Sequence, residues 1–341
     1  MKRPSVMQVE TERLTRSWER HDASFLRDYL VADVEDPRLN VQSILTRHFL
    51  LRCLFGERWE EVMREELRFA VVMNWWRGLL QQPLVADDFA ALLHAVRRHA
   101  DNAEGLEIPA YVLNIHAARP ATLAGLPFPD YLSEAIQAAR RSSPPRTLPE
   151  PLLNTFQTLW KQVLARKRAE RLRVLEPACG SANDYRFFAA FGLARLLEYH
   201  GMDLSAKNVA NARKLFPKVD FQAGNVLQIK AAKHAFSACV VHDLFEHLSI
   251  EAMTQAVREV CRVTRHGLCV NFFNLHEAEE HTVHPVEEYH WNTLSLPAMR
   301  TLFESHGFTG QIIHVGTLLA QTMECPRTHN PNAYTFYLWR E

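Results

Sequence analysis

From Leu172 onward, short apolar runs alternate with amphipathic stretches, and this alternation leaves the C-terminal half of the chain few folds to choose from. The runs are Leu172 to Leu175, Leu196 to Met202, Val219 to Phe221, Phe236 to Val241 and Leu268 to Phe273. Tyr185 to Arg195, Ala206 to Leu215, Ile250 to Thr264 and Leu296 to His306 carry apolar residues at helical spacing. Strand, helix and strand in series imply crossover units and a parallel sheet with helices on both faces. Two last runs, Gln311 to Val315 and Ala333 to Trp339, have no helical text between them and fit an antiparallel hairpin at the sheet edge. The expected class is α/β: a doubly wound, mostly parallel seven-stranded sheet with an antiparallel C-terminal hairpin.

The first half reads differently. Val41 to Phe55 and Glu57 to Leu80 place Leu, Phe, Val, Met and Trp at three- and four-residue intervals, with Gly56 as the break between two antiparallel helices. Phe69, Val72, Met73, Trp75 and Trp76 read as the core of that pair. Asp87 to Ala100 and Tyr131 to Arg141 are further helices, and one more runs from about Leu152 to Glu170. Between them, Ser142-Ser143-Pro144-Pro145 followed by Pro149 and Pro151 is a linker, because a residue before proline is driven out of the helical region. An all-α domain is therefore expected over 1–148, as a lid or acceptor domain, and the sheet domain over 149–341.

Composition narrows the partners. The 341 residues are 47% hydrophobic and 23% charged, with 39 Lys plus Arg against 39 Asp plus Glu, so no global field draws the chain to nucleic acid or an anionic membrane. Lys161, Arg166, Lys167, Arg168, Arg171 and Arg173 form a local basic stretch, but without interleaved aromatics it reads as a solvated face. No apolar run is long enough to span a bilayer. The six cysteines include no Cys-x-x-Cys pair and read as buried thiols of a reducing compartment. The reading is a cytoplasmic protein, with no membrane partner expected and nucleic acid disfavoured.

The first strand runs into Glu176-Pro177-Ala178-Cys179-Gly180-Ser181-Ala182-Asn183-Asp184, a bend of small residues that opens a helix. Backbone amides at such a strand end face the crevice where open α/β sheets take ligands. The series G-x-G-x-x-G is absent, so a dinucleotide is not expected.

That segment resembles motif I of class I S-adenosylmethionine-dependent methyltransferases, with alanine in the first and third glycine places. Gly201-Met202-Asp203-Leu204-Ser205 is similar to the family's acidic ribose-binding strand end, Gly224-Asn225-Val226 to its Gly-Asp-Val segment, and Val240 to Leu248 to a post-strand segment ending in Glu-His-Leu. Four segments in the family's order cover about Leu172 to Leu248. The resemblance implies S-adenosyl-L-methionine as cofactor and S-adenosyl-L-homocysteine as product. It assigns cofactor contacts to Glu176, Ala178, Gly180, Ser181, Asp203, Leu204, Asn225, Val226 and His242, with Asp203 accepting from both ribose hydroxyls and Asn225 meeting the adenine. The methyl groups of Ala178 and Ala182 are compatible only with ordinary negative φ.

Methyl transfer from a sulfonium is an in-line displacement, so the protein's part is to hold donor and acceptor together and to remove an acceptor proton. Histidine suits that base. His247 is the first candidate, then His242 and His290. Asp243, Glu246 and His247, at i, i+3 and i+4, also resemble a segment with which some quinone-type O-methyltransferases hold a divalent metal; the site is read without one. Between the fifth strand and the next helix, Glu277 to Asn292 carries His281, His284 and His290 among aromatics, and His284, Tyr289, Trp291 and Asn292 are the expected acceptor contacts. Asn330, Asn332 and Tyr334 approach the same edge. The expected reaction is methyl transfer to oxygen or nitrogen of a small molecule; the alternatives are a protein or RNA methyltransferase docked through the helical domain, and a cofactor-binding regulator without turnover.

Overall fold

A computed structural model describes residues 40–56, 171–287, 289–323 and 330–340, with isolated helical positions at 66, 67, 70, 157, 160, 161, 164 and 165. The strands of its main sheet are β1 Leu172–Pro177, β2 Leu197–Asp203, β3 Asp220–Ala223, β4 Phe236–His242, β5 Thr264–Phe272, β6 Thr309–His314 and β7 Tyr334–Trp339, and four two-residue strands between 275 and 295 pair in two small ribbons. The helices are α1 Val41–Phe55, α2 Asn183–Ala190, α3 Ala206–Leu215, α4 Ile250–Val263, α5 Leu296–Ser305 and α6 Val315–Met323. Four of them begin at a side-chain cap: Asn40, Ser205, Ser249 and Ser295 each accept a backbone N–H three residues on, closing one of the orphan donors of a first turn.

All seven strands form one sheet in the order β6-β7-β5-β4-β1-β2-β3. β1 to β5 are mutually parallel where they pair, and β7 runs antiparallel to both β5 and β6. Side chains alternate between two cores, as a pleat demands: Val174, Ala238, Val240 and Cys269 face α1, α2, α3 and α6, whereas Leu175, Cys239, Val241, Leu268 and Val270 face α4 and α5. The chain winds outward from β1 through β2 to β3, and the other way from β4 to β5. The reversal falls between β1 and β4, so the ligand crevice of such a sheet lies at Pro177 and His242, where those two strands end.

Two features depart from the expectation. The last antiparallel pair is present, but α6 lies between its strands; Val315–Met323 follows β6 without a turn signal, and its short run of Val, Thr and Gly hides the helical period. The second is α1. It packs on the sheet, sharing a core with β1, β2, β4 and β5, and every residue from Val41 to Leu51 is buried. Most of the helix expected after Gly56, and all of those expected at 87–100 and 131–141, lie outside the described residues, as does the boundary at 148/149; Gly56 itself, at φ 73°, ends α1 as a left-handed C-cap.

Polar bonds as well as apolar contact dock α1. At the carboxyl edge of the sheet the Gln42 amide donates to Phe272 O (3.0 Å), the Ser43 hydroxyl to Asp184 (3.2 Å), and the Asn271 amide to Thr46 Oγ1 (2.8 Å). Further down the face Tyr337 donates to Leu45 O, and Phe49 stacks on Trp339 at 5.0 Å. Arg47, paired with buried Glu66, lies 4.0 Å over the Phe191 ring. A helix more than a hundred residues upstream of β1 thus forms one wall of the crevice. Thr46→Val keeps the shape but strips Asn271 of a buried acceptor; it should cost about 2 kcal/mol in urea unfolding, and an unchanged midpoint would show that α1 does not need this seam.

Candidate functional site

The bend after β1 is held by one carboxylate. Asp203, buried at the tip of β2, accepts from the Gly180 amide (2.9 Å) through Oδ2 and from the Ser205 amide (2.8 Å) and Asn208 Nδ2 (3.1 Å) through Oδ1. Burial pushes its pKa up, while the two amides and the Asn208 side chain pull it down. Cys179 N donates to Met202 O, a second tie between β1 and β2. The bend is left-handed at three residues: Ala178 (φ 58°), Gly180 (φ 55°) and Ala182 (φ 69°). The expectation of negative φ at the two alanines is therefore overturned. The bend needs the torsions that glycine supplies in the family's pattern, and alanine adopts them at a cost of roughly 1–2 kcal/mol each.

A carboxylate offers about four lone-pair sites. Asp203 spends three on the bend and on α3, which leaves about one. Asn225, likewise, uses Oδ1 to accept from Leu227 N (2.9 Å) and shapes the turn after β3; Val226 is half-buried against the α4 side of the sheet. Ser181 is buried and bonds Asn208 (3.4 Å), and Leu204 lies half-buried between Asp203 and the cap of α3. The expected cofactor residues do converge on the carboxyl ends of β1, β2 and β3.

Beneath the bend lie two acidic groups, Glu176 and Asp184, of which the sequence reading passed over the second. Glu176, inside β1, accepts from Tyr199 OH (2.6 Å), and burial beside Asp184 drives its pKa well above the usual carboxylate range. Asp184, in the first turn of α2, takes the Ser43 hydroxyl on Oδ1 and faces His242 Nε2 at 3.6 Å through Oδ2. An acid directly after the motif was a signal available in the sequence. So was Asn271, a lone amide in the apolar run of β5. Its Nδ2 donates to His242 Nδ1 (2.8 Å) and to Thr46 Oγ1, and its Oδ1 accepts from Thr335 (2.6 Å). These bonds assign the His242 proton to Nε2, facing Thr46 (3.4 Å) and Asp184, and leave no lone pair for an acceptor's proton.

His247 is arranged the other way round. It sits in the short turn Phe245–His247 after β4, and its Nδ1 donates to the backbone carbonyl of His290 (3.1 Å). The carbonyl fixes the tautomer, and Nε2 keeps its lone pair. Burial lowers the ring's pKa, which holds it neutral at pH 7. Phe273, Tyr289 and Trp291 surround the ring at 5.4, 5.9 and 5.3 Å. His290 meets His247 through its main chain, and its own side chain is buried.

Asn292 is wholly buried, accepting from His284 N through Oδ1 and donating to Leu248 O through Nδ2, so its side chain pins the loop 276–295 onto the turn at 245–248. His284 is exposed, with its carbonyl accepting from Trp291 N. Asn330 reaches the same edge by donating to Phe273 O, Asn332 O accepts from Leu275 N, and Tyr334 packs on His314. Glu246 turns inward, accepting from the Phe273 amide (2.9 Å), and its other oxygen is buried without a partner. Within the i, i+3, i+4 set, burial and then the nearby Glu246 push the Asp243 pKa up, whereas His247 turns to His290 O; the described residues contain no cluster of three or more metal-ligating side chains.

Residues 174–267, from within β1 to within β5, match the family described as "Methyltransferase domain". No curated protein matches the chain. Solved structures similar to it include a 1,6-didemethyltoxoflavin-N1-methyltransferase of Burkholderia thailandensis (13% identity, 76% of this chain and 92% of that one, TM-score 0.39). Two others are S-adenosylmethionine-dependent methyltransferases, from Methanosarcina mazei (13%, 52% and 96%, 0.39) and Mesorhizobium loti (11%, 50% and 92%, 0.38). The family match spans 94 of the chain's 341 residues and falls within the sheet ordered β6-β7-β5-β4-β1-β2-β3.

Ala178→Gly, which removes the methyl group from a half-buried left-handed residue, should raise stability by about 1 kcal/mol in urea unfolding; a loss would mean that the methyl's packing outweighs its torsion. Glu246 gives a pH dependence of definite sign. Burial pushes its pKa up to about 7, from roughly 4.3 in the unfolded chain. The folded state therefore binds the extra proton between these values, and stability falls as pH rises from about 4.5 to 7. Glu246→Gln should flatten the melting temperature across that window; an unchanged slope would assign the dependence to another group.

Proposed function

We propose that the crevice between β1 and β4 binds S-adenosyl-L-methionine, with S-adenosyl-L-homocysteine as product, and methylates oxygen or nitrogen of a small molecule with His247 taking the proton. The observation that carries this is the bend 178–182, held open by Asp203 at the point where the strand order reverses, within the span that matches a methyltransferase domain. Asp203 has one lone-pair site left for a ribose hydroxyl, and the Glu176, Asp184 and Asp203 carboxylates around the bend suit a cationic ligand. When bound, S-adenosylmethionine supplies an electrophilic methyl group on a sulfonium.

The residues around it orient, exclude water and move a proton. His242, with Nδ1 held by Asn271, is a hydrogen-bond donor and not a base. His247 has the complementary form: Nδ1 is tied to His290 O, and Nε2 is open to an acceptor O–H or N–H. Helix α1 forms one wall of the crevice, and the rest of the N-terminal segment is proposed to act as a lid that excludes water. A small-molecule acceptor is favoured over RNA by the balanced charge.

Asp203→Ala should weaken calorimetric affinity for S-adenosylhomocysteine by about 1–3 kcal/mol, whereas His247→Gln should leave it unchanged and lower product formation by roughly a hundredfold across a panel of hydroxyl and N–H acceptors. Full affinity in the first variant would remove Asp203 from the site, and full turnover in the second would make His247 structural.

A further inference from the structure

Four large apolar side chains stand exposed among the described residues, and three of them, Val283 (46%), Val286 (37%) and Trp291 (43%), belong to the loop 276–295 beside His247. Such clustering marks a binding surface more often than chance exposure does. Trp291 packs on Phe273 at 4.8 Å, and both rings, with Tyr289, lie against His247, so the base stands among aromatic faces and edges. The loop is fixed from below: Asn292 binds Leu248 O and His284 N, Ser295 Oγ donates to Ala278 O, and Glu246 accepts from Phe273 N. The rings are thus held in place before any acceptor arrives.

Charge narrows the ligand further. No Lys or Arg occurs between Arg265 and Arg300, while Glu277, Glu279, Glu280, Glu287 and Glu288 all fall in that interval. An anionic acceptor would meet repulsion from the glutamates of this loop and no Lys or Arg on it. The base adds a chemical limit: burial lowers the pKa of His247, and a weakened imidazole takes a proton efficiently only from an acidic O–H or N–H.

We propose that the acceptor is an uncharged planar aromatic molecule bearing an acidic hydroxyl or ring N–H, stacked on Trp291 and Phe273 with that group at His247 Nε2. This rests on the methyltransferase reading above and names the substrate class of the same site. In the transfer, the acceptor's proton passes to His247 Nε2, the oxygen or nitrogen lone pair forms the new bond to the methyl carbon, and the breaking C–S bond leaves its electron pair on sulfur.

The test is binding to the full-length chain saturated with S-adenosylhomocysteine, by calorimetry and saturation-transfer NMR, with 2-naphthol, cyclohexanol and 2-naphthoate as probes. The naphthol should bind at least about tenfold more tightly than either of the others; Trp291→Ala should lose about that factor and Trp291→Phe should keep most of it, with affinity for S-adenosylhomocysteine unchanged in both. If S-adenosylhomocysteine itself fails to bind, the cofactor reading falls. If it binds while cyclohexanol or the naphthoate matches the naphthol, or while Trp291→Ala changes nothing, the aromatic acceptor class is wrong and the cofactor site stands. Sedimentation of the wild type as a dimer that Trp291→Ala dissociates would also overturn it, by giving the exposed loop to a second copy of the chain.

Discussion

The crevice exists because a single buried carboxylate is shared by two elements that would otherwise move apart. Asp203 takes the Gly180 amide from one side and the Ser205 amide and Asn208 side chain from the other, so the bend after β1 and the start of α3 are fixed to the tip of β2. Without it, a bend with three left-handed residues would have little to keep it open, since two of the three are alanines in a region that penalises a side chain. Two of the five non-glycine residues with positive φ among the described residues, Ala178 and Ala182, stand in this one bend, and such torsions persist only where the surroundings hold them.

Around this hinge the structure keeps acidic groups close together. Glu176, Asp184 and Asp203 are all buried; they meet Tyr199, Ser43, main-chain amides and the His242 ring, and the Arg47 guanidinium acts on Asp184. Proximity and burial drive Glu176 toward its protonated form. A fold concerned only with stability would place apolar residues here. Acidic groups gathered at a sheet's switch point are what the proposal of a positively charged ligand rests on.

The sheet was legible because its signal is local. Period-two apolar runs and capped helices stand in the sequence one after another, and β1 to β5 fall where those runs do. The place of α1 was not legible, because an apolar helix reveals that it is buried but not against what; the partners that settle it, Phe272, Asn271 and Tyr337, lie more than two hundred residues away. The gathering of the motif residues at the strand ends was traceable through their spacing, yet the split of labour within Asp203 and Asn225 was not, since a side chain's capacity is consumed by neighbours that only the fold supplies. Asn292 shows the same limit: a polar residue among aromatics reads as a substrate contact, but both ends of its amide serve the loop.

The two histidines at the end of β4 carry this point furthest. Five residues separate His242 from His247, and sequence alone gives both the same chemistry. Their hydrogen bonds do not. An amide donor on Nδ1 makes His242 a proton donor, whereas a carbonyl acceptor on Nδ1 leaves His247 with a lone pair at Nε2. Asn271 lies in β5, and His290 lies in the loop before α5, so each tautomer is set by an element that arrives later in the chain. The loop that carries Tyr289 and Trp291 is therefore also the one that leaves His247 Nε2 its lone pair: its His290 carbonyl fixes the proton, and its Asn292 side chain fixes the loop. In the function proposed above, acceptor recognition and proton removal depend on the same piece of structure, so displacing that loop would disturb both together.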